Sequence, residues 1–203
     1  PEWNFKRAIL RNGQGEKLID TKDSNISVLQ YSVPFEGVLS EKELKEHLYT
    51  LHNMPDAAPY RTSYYEQNWG FCCSEDLVNS KKFFAPFYVK IEADSDANGV
   101  LDWGEILFPG EEKSEILIST YICHPSLAND NLSGILTAIA LAKYIESIKK
   151  RKRSYRFVFC PETIGALVFL YSHTDIESII GGTVLTNTAG PGGFSLLNPL
   201  KTN

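Results

Sequence analysis

The sequence predicts a mixed α/β protein: a mostly parallel sheet with crossover helices in the C-terminal half, and a β-rich layer with one helix ahead of it. Three observations carry this. From Glu115 onward, near-continuous apolar runs alternate with segments of helical spacing, the pattern of parallel strands buried on both faces. Before Glu115, period-two alternation and an Asn-Gly turn point to antiparallel strands. Histidine and acidic residues fall just beyond the predicted parallel strands, where such sheets bind ligands.

The chain has 203 residues, 43% of them hydrophobic and 22% charged, which fits a folded protein of one medium domain or one and a half small ones. A net charge of -5 argues against nucleic acid, because phosphate binding needs clustered Lys and Arg. The basic run at 149–153 falls where a helix ends and complements its dipole. No run reaches the roughly 18 apolar residues of a membrane span, and no signal-peptide pattern opens the chain. Neither nucleic acid nor membrane is therefore an expected partner, and the cytoplasm is the expected location. Cys72, Cys73, Cys123 and Cys160 would stay reduced there. None forms a Cys-x-x-Cys pair, which removes a zinc-knuckle reading. Cys123 and Cys160 end apolar runs and read as buried small hydrophobes. Pro1 is not an initiator methionine, so the chain reads as processed, excised or part of something longer.

Residues 5–20 read as a hairpin around Asn12-Gly13-Gln14-Gly15. Residues 26–31 read as a short strand. Ser40 and Glu43 form a capping box ahead of Leu44, Leu48 and Leu51, so a helix should open at Ser40. His47 and His52 lie five apart on that helix and its end, and read as surface or cap residues. Residues 55–70 are too aromatic for a flexible linker. Tyr60, Tyr64, Tyr65, Trp69 and Phe71 read as a loop packed on the core, with a substrate-binding wall as the alternative. Val89, Ile91 and Ala93 alternate with Lys90 and Glu92, the signature of a half-buried strand.

Residues 94–105 match the twelve-residue EF-hand loop through Asp94, Asp96, Asn98, Gly99, Asp102 and Glu105. An EF-hand needs a helix on each side. Here the incoming segment alternates as a strand, and the outgoing one is a short apolar run cut by Pro109. The expectation is a β-hairpin tip with acidic residues facing water; a calcium-binding loop is the alternative.

Beyond Glu115, residues 116–122 read as a buried strand. Leu132, Ile135, Leu136, Ile139, Ala142 and Ile148 then form a helical stripe. A strand at 155–160, a helix at 164–171 and a strand at 183–186 complete a parallel sheet. His124 and Glu162 each sit just past a strand end, and Asp130 lies in the first strand-to-helix loop. His124 and Asp130 offer an imidazole nitrogen and a carboxylate, a donor pair suited to zinc. Asn129, Asn131 and Ser133 suit orienting that carboxylate and capping the helix. Glu162 is placed as general base beside a metal-activated water. On spacing alone a second reading stays open, in which His124 is a loop histidine, Asp130 a helix cap and Glu162 a solvated acid.

The run CHPSLANDNLSG at 123–134, with FCPETIG at 159–165, YRTSYY at 60–65 and NWGFC at 68–72, resembles a bacterial family of aminopeptidase-like proteins. These belong to the zinc aminopeptidase (M28-like) superfamily and are chiefly domains of unknown function. The resemblance implies a phosphorylase/hydrolase-like zinc-peptidase core interrupted by a β-rich inserted domain. Residues 1–110 would be that insertion, and 111–203 a partial core. It implies His124 as a first-metal ligand, Asp130 as a metal-bridging aspartate and Glu162 as the general base. One or two zinc ions would be the cofactor, and a peptide or amide the substrate. The sequence departs from the family pattern at Thr163, where a second glutamate ligand is usual, at Ser126, where an aspartate is usual, and around Asn187 and Gly190, where another metal acid is usual. A partial core would expose apolar sheet edges, so stabilisation by the insertion or by a partner is expected, a homo-oligomer among the options. The resulting expectation is a zinc-dependent aminopeptidase-like hydrolase. A non-catalytic binding module and a calcium-binding loop are the alternatives.

Overall fold

Strand β1 (Glu2–Arg11) turns through Asn12 into β2 (Lys17–Asp20), as the Asn-Gly signal predicts. Asn12 is fully buried, and its Oδ1 accepts from the backbone N–H groups of Gln14 at 3.1 Å and Glu16 at 3.0 Å, which closes the turn. The computed structural model describes residues 2–124, 126–193 and 195–197. They form a mixed α/β structure with several sheets, divided into two compact units, Pro1–Val100 and Leu101–Asn203.

In the first unit, β3 (Phe35–Leu39) and β6 (Phe87–Asp96) join the hairpin in an antiparallel sheet of order β2-β1-β6-β3. Phe87, Val89 and Ile91 of β6 point inward with Ala8 and Leu10 of β1, and Tyr88, Lys90 and Glu92 point outward. Each inward Val, Leu, Ile or Phe side chain contributes about 1.5–3 kcal/mol by burial. The expected capping box is present at α1 (Glu41–Lys45), where Ser40 N–H donates to Glu43 at 2.8 Å. The helix is shorter than its Leu44, Leu48, Leu51 spacing suggests. Leu48 instead enters β4 (Leu48–Tyr49), which pairs in parallel with β5 (Phe71–Cys72). His47 therefore leaves the helix and stacks on Trp69 at 3.7 Å, with Nδ1 2.9 Å from the Trp69 carbonyl. Residues 26–31 form no continuous strand. A 3-10 turn at Asn25–Ser27 is followed by isolated bridges, because Leu29 and Gln30 donate to separate segments, at Gly70 and Arg61. Trp69 and Phe71 are core residues, whereas Tyr65 is almost fully exposed. A short helix α2 (Glu75–Val78) follows.

In the second unit, β8 (Glu115–Tyr121), β9 (Ser154–Cys160) and β10 (Ile179–Val184) run parallel, and β7 (Gly104–Phe108) adds antiparallel to β9, giving the order β10-β8-β9-β7. Helix α3 (Gly134–Ser147) covers one face, where Ala138, Ala142 and Ile145 meet Ile118 and Phe157. Helix α4 (Ile164–Ser172) covers the other, where Phe169 meets Val158 and Cys160. Neighbouring residues of β9 thus serve opposite faces, which is why the strand reads as an unbroken apolar run. The buried stripe of α3 differs from the expected one. Leu132, Leu136 and Ile139 are exposed, Ala142 and Ile148 pack on the sheet as expected, and Ala138 and Ile145 complete the buried face.

The hairpin expected at 94–105 is absent. Asp94 and Asp96 pair with β1, while β7, which carries Glu105, pairs with β9. The Glu105 carboxylate is bound by the Arg156 guanidinium, and the flanking elements are strands, so neither an EF-hand frame nor a free twelfth-position ligand exists. Among the described residues, no helix is long and apolar enough to cross a membrane.

Candidate active site

Parallel register pairs Tyr121 at the end of β8 with Cys160 at the end of β9, and the Ile122 N–H donates to the Cys160 carbonyl at 3.1 Å. The next residues of the two strands therefore emerge side by side. His124 Nε2 lies 3.7 Å from Glu162 Oε2. The imidazole is largely buried and the carboxylate is 55% exposed. Between them sits Cys123. Its Sγ is 3.2 Å from His124 Nδ1 and accepts the Glu162 backbone N–H at 3.2 Å. Thr163 follows at φ 59° and ψ -70°, an uncommon conformation for a β-branched residue, and it turns the chain into α4 directly behind Glu162.

Asp130 lies in a π-type turn, Ala128–Ser133, with φ and ψ outside the helical range. Its Oδ1 accepts a hydrogen bond from the Tyr121 hydroxyl, which is also 2.6 Å from Thr186 Oγ1. The Tyr121 ring lies 5.3 Å from the His124 ring at a 54° tilt. Burial, then the Asp130 hydrogen bond, pushes the Tyr121 phenol above its ordinary pKa, so it remains a donor to the carboxylate. Burial also raises the Cys123 thiol, with the Glu162 and Asp130 carboxylates adding to the rise and the Glu162 N–H opposing it.

Asn131 ties these loops together. It is 2% exposed; its Nδ2 donates to Thr120 Oγ1 at 2.8 Å and to the Tyr121 carbonyl at 3.0 Å, and its Oδ1 accepts the Asn187 N–H at 3.2 Å. Ser133 Oγ donates to the Asn129 carbonyl at 2.6 Å and accepts the Thr188 N–H at 2.9 Å. The segment after β10 is thereby laced to the loop that carries Asp130.

A cleft of about 260 Å³ opens beside His124, lined by Tyr121, Ile122, Leu127, Leu132 and Ile135 among others. It offers apolar walls next to one polar cluster, the usual make-up of a small-ligand site. A groove of similar size on the first unit's sheet, about 270 Å³, carries no such cluster.

Of the three residues read from sequence, the fold brings His124 and Glu162 together. Asp130 is held by Tyr121 and falls outside the tight donor group. That group is Cys123, His124 and Glu162, whose ligand atoms lie within 4.8 Å of one another, and it is the only one of its kind among the described residues. One sulfur, one nitrogen and one oxygen donor suit zinc. Sequence reasoning missed Cys123, taken for a buried hydrophobe, because a cysteine without a spaced partner gives no metal signal. Its position directly before His124 was the available hint.

A family model described as a domain of unknown function, DUF4910, matches residues 16–203. The chain belongs to the DUF4910 family. This DUF4910 chain is 42% identical over 186 residues to a Clostridium acetobutylicum protein, covering 91% of the chain and 42% of that relative. The relative carries the provisional description polysaccharide biosynthesis protein with aminopeptidase-like domain. A crystal structure from the same organism, provisionally described as a peptidase, superposes with a TM-score of 0.89 at 41% identity. It covers 94% of this chain and 45% of that one. The chain thus spans less than half the length of both relatives.

Proposed function

We propose that this chain forms part of a metal-dependent, aminopeptidase-like hydrolase of the zinc aminopeptidase superfamily, acting on a peptide or amide bond. The observation that carries the reading is the 3.7 Å approach of His124 Nε2 to Glu162 Oε2 at the mouth of an apolar cleft. The descriptions of the two relatives, aminopeptidase-like and peptidase, support the same class of chemistry.

By the family resemblance zinc would be held by His124 and, from outside the tight donor group, by Asp130, and it would supply Lewis acidity toward a carbonyl oxygen and toward water. The side chains do the rest. Glu162, exposed and fixed by its own backbone N–H on Cys123, takes a proton from the attacking water and delivers it to the departing amine nitrogen. Tyr121 donates to Asp130 and keeps that carboxylate oriented. Ile122, Leu127 and Leu132 give an apolar substrate side chain a place to lie.

The test is metal analysis combined with turnover of aminoacyl amides. Stoichiometric zinc that disappears in His124→Ala, together with hydrolysis, supports the reading. Zinc retained without turnover of any aminoacyl substrate supports a second reading, a binding member of the family. Thr163, standing where a second glutamate ligand is usual, favours that second reading. A reducing, cytoplasmic setting belongs to either, in keeping with four free cysteines.

A further inference from the structure

We propose that Cys123 is itself a metal ligand, its thiolate sharing one borderline-soft divalent cation with the His124 imidazole. This rests on the metal-hydrolase reading above and adds a donor which that reading lacks. Zinc in hydrolytic sites takes three protein ligands and leaves one position open. His124 and Asp130 make two. The positions that would supply more carry Thr163 and Ser126, which are weak donors.

The geometry at Cys123 meets the need. With Zn–S near 2.3 Å and Zn–N near 2.0 Å, two donors on one tetrahedral ion lie about 3.5 Å apart. Cys123 Sγ and His124 Nδ1 are 3.2 Å apart. The Glu162 N–H donates to the same sulfur, so the side chain is held toward the site. Cys72, Cys73 and Cys160 are buried, whereas Cys123 is half-buried at the strand ends and open to an arriving ion. Binding exchanges a proton for the cation: the S–H bond breaks, the proton passes to solvent, and a sulfur–metal bond forms without any redox change. Glu162 keeps its role as base. The consequence is a centre softer than nitrogen and oxygen donors alone would make, with preference for zinc, cobalt and cadmium over magnesium.

Cobalt(II) added to the metal-free protein reads this directly. The expected result is stoichiometric cobalt with an intense near-ultraviolet sulfur-to-cobalt charge-transfer band. Cys123→Ser should remove the band and weaken cobalt binding by more than about 10-fold, and His124→Ala should remove both the band and the cobalt. Stoichiometric cobalt without the band, or a band that survives Cys123→Ser, overturns the thiolate ligand and leaves the hydrolase reading in place. No bound metal at all overturns both. Should Cys123→Ser fail to fold, cadmium NMR of the unmodified protein decides: a sulfur-ligated shift supports the inference, and a shift typical of nitrogen and oxygen ligands alone overturns it.

Discussion

His124 Nε2 and Glu162 Oε2 stand 3.7 Å apart, although one residue follows β8 and the other follows β9. The parallel pairing of Tyr121 with Cys160 brings the two strand ends side by side, so the loops that carry the pair start from neighbouring positions. Glu162→Gln keeps the shape and removes the base. Amide hydrolysis is expected to fall by about 10²–10⁴-fold with zinc content unchanged, as measured by steady-state kinetics beside metal analysis. Loss of zinc in the same variant would instead make Glu162 a ligand.

Gly134 opens α3 against the loop that carries Asp130. A Cβ there would lie 2.3 Å from Asn131 Oδ1 and 2.5 Å from the Leu185 carbonyl, closer than real contacts allow. Gly134→Ala must push the loop outward and break the Asn131 bonds. The expected cost is about 2 kcal/mol in urea unfolding, with weaker metal binding. Unchanged unfolding would mean that the loop is not held through Asn131.

Arg156 and Glu115 are each 8% exposed and share two hydrogen bonds, at 2.6 and 2.8 Å, while Glu105 pairs with the same guanidinium. Arg156→Met leaves a buried carboxylate without compensation, and stability should drop by about 3–5 kcal/mol. Combining Arg156→Met with Glu115→Leu should recover much of it, because no charge then stays buried. Denaturant titration of both variants separates the pair's net worth from the cost of breaking it.

The first unit predicts an acid dependence. Arg7 donates to Asp20 at 3.1 and 2.6 Å. That bond, then the Lys22 N–H, holds the Asp20 carboxyl far below the usual carboxylate range against the opposing effect of burial. The folded pKa lies below the unfolded value of about 3.9, so the stabilisation is complete above that pH and fades as the pH falls toward the folded value. Asp20→Asn should therefore lose stability near neutrality, and its deficit should shrink below about pH 4. A deficit that is constant with pH would assign the effect to packing.

The amino-acid order by itself determined the alternation of strand and helix after Glu115, the opening hairpin and the placement of His124 and Glu162 beyond strand ends, because period, turn chemistry and sheet handedness are local or topological rules. It judged the buried face of α3 only in part. Ala142 and Ile148 of the expected stripe do pack on the sheet, but Leu132, Leu136 and Ile139, which carry the stronger hydrophobic signal, are exposed and Ala138 and Ile145 are buried in their place, since the partner surface decides which part of an apolar helix is covered. It likewise ran the helix after Ser40 past its single turn, because the pairing of β4 with β5 competes for Leu48 only in three dimensions. The Glu162 N–H on Cys123, Tyr121 on Asp130 and Arg156 between Glu105 and Glu115 come from tertiary structure alone: each joins groups whose separation along the chain carries no pattern, and the paired strands and the loops at their ends bring them within reach.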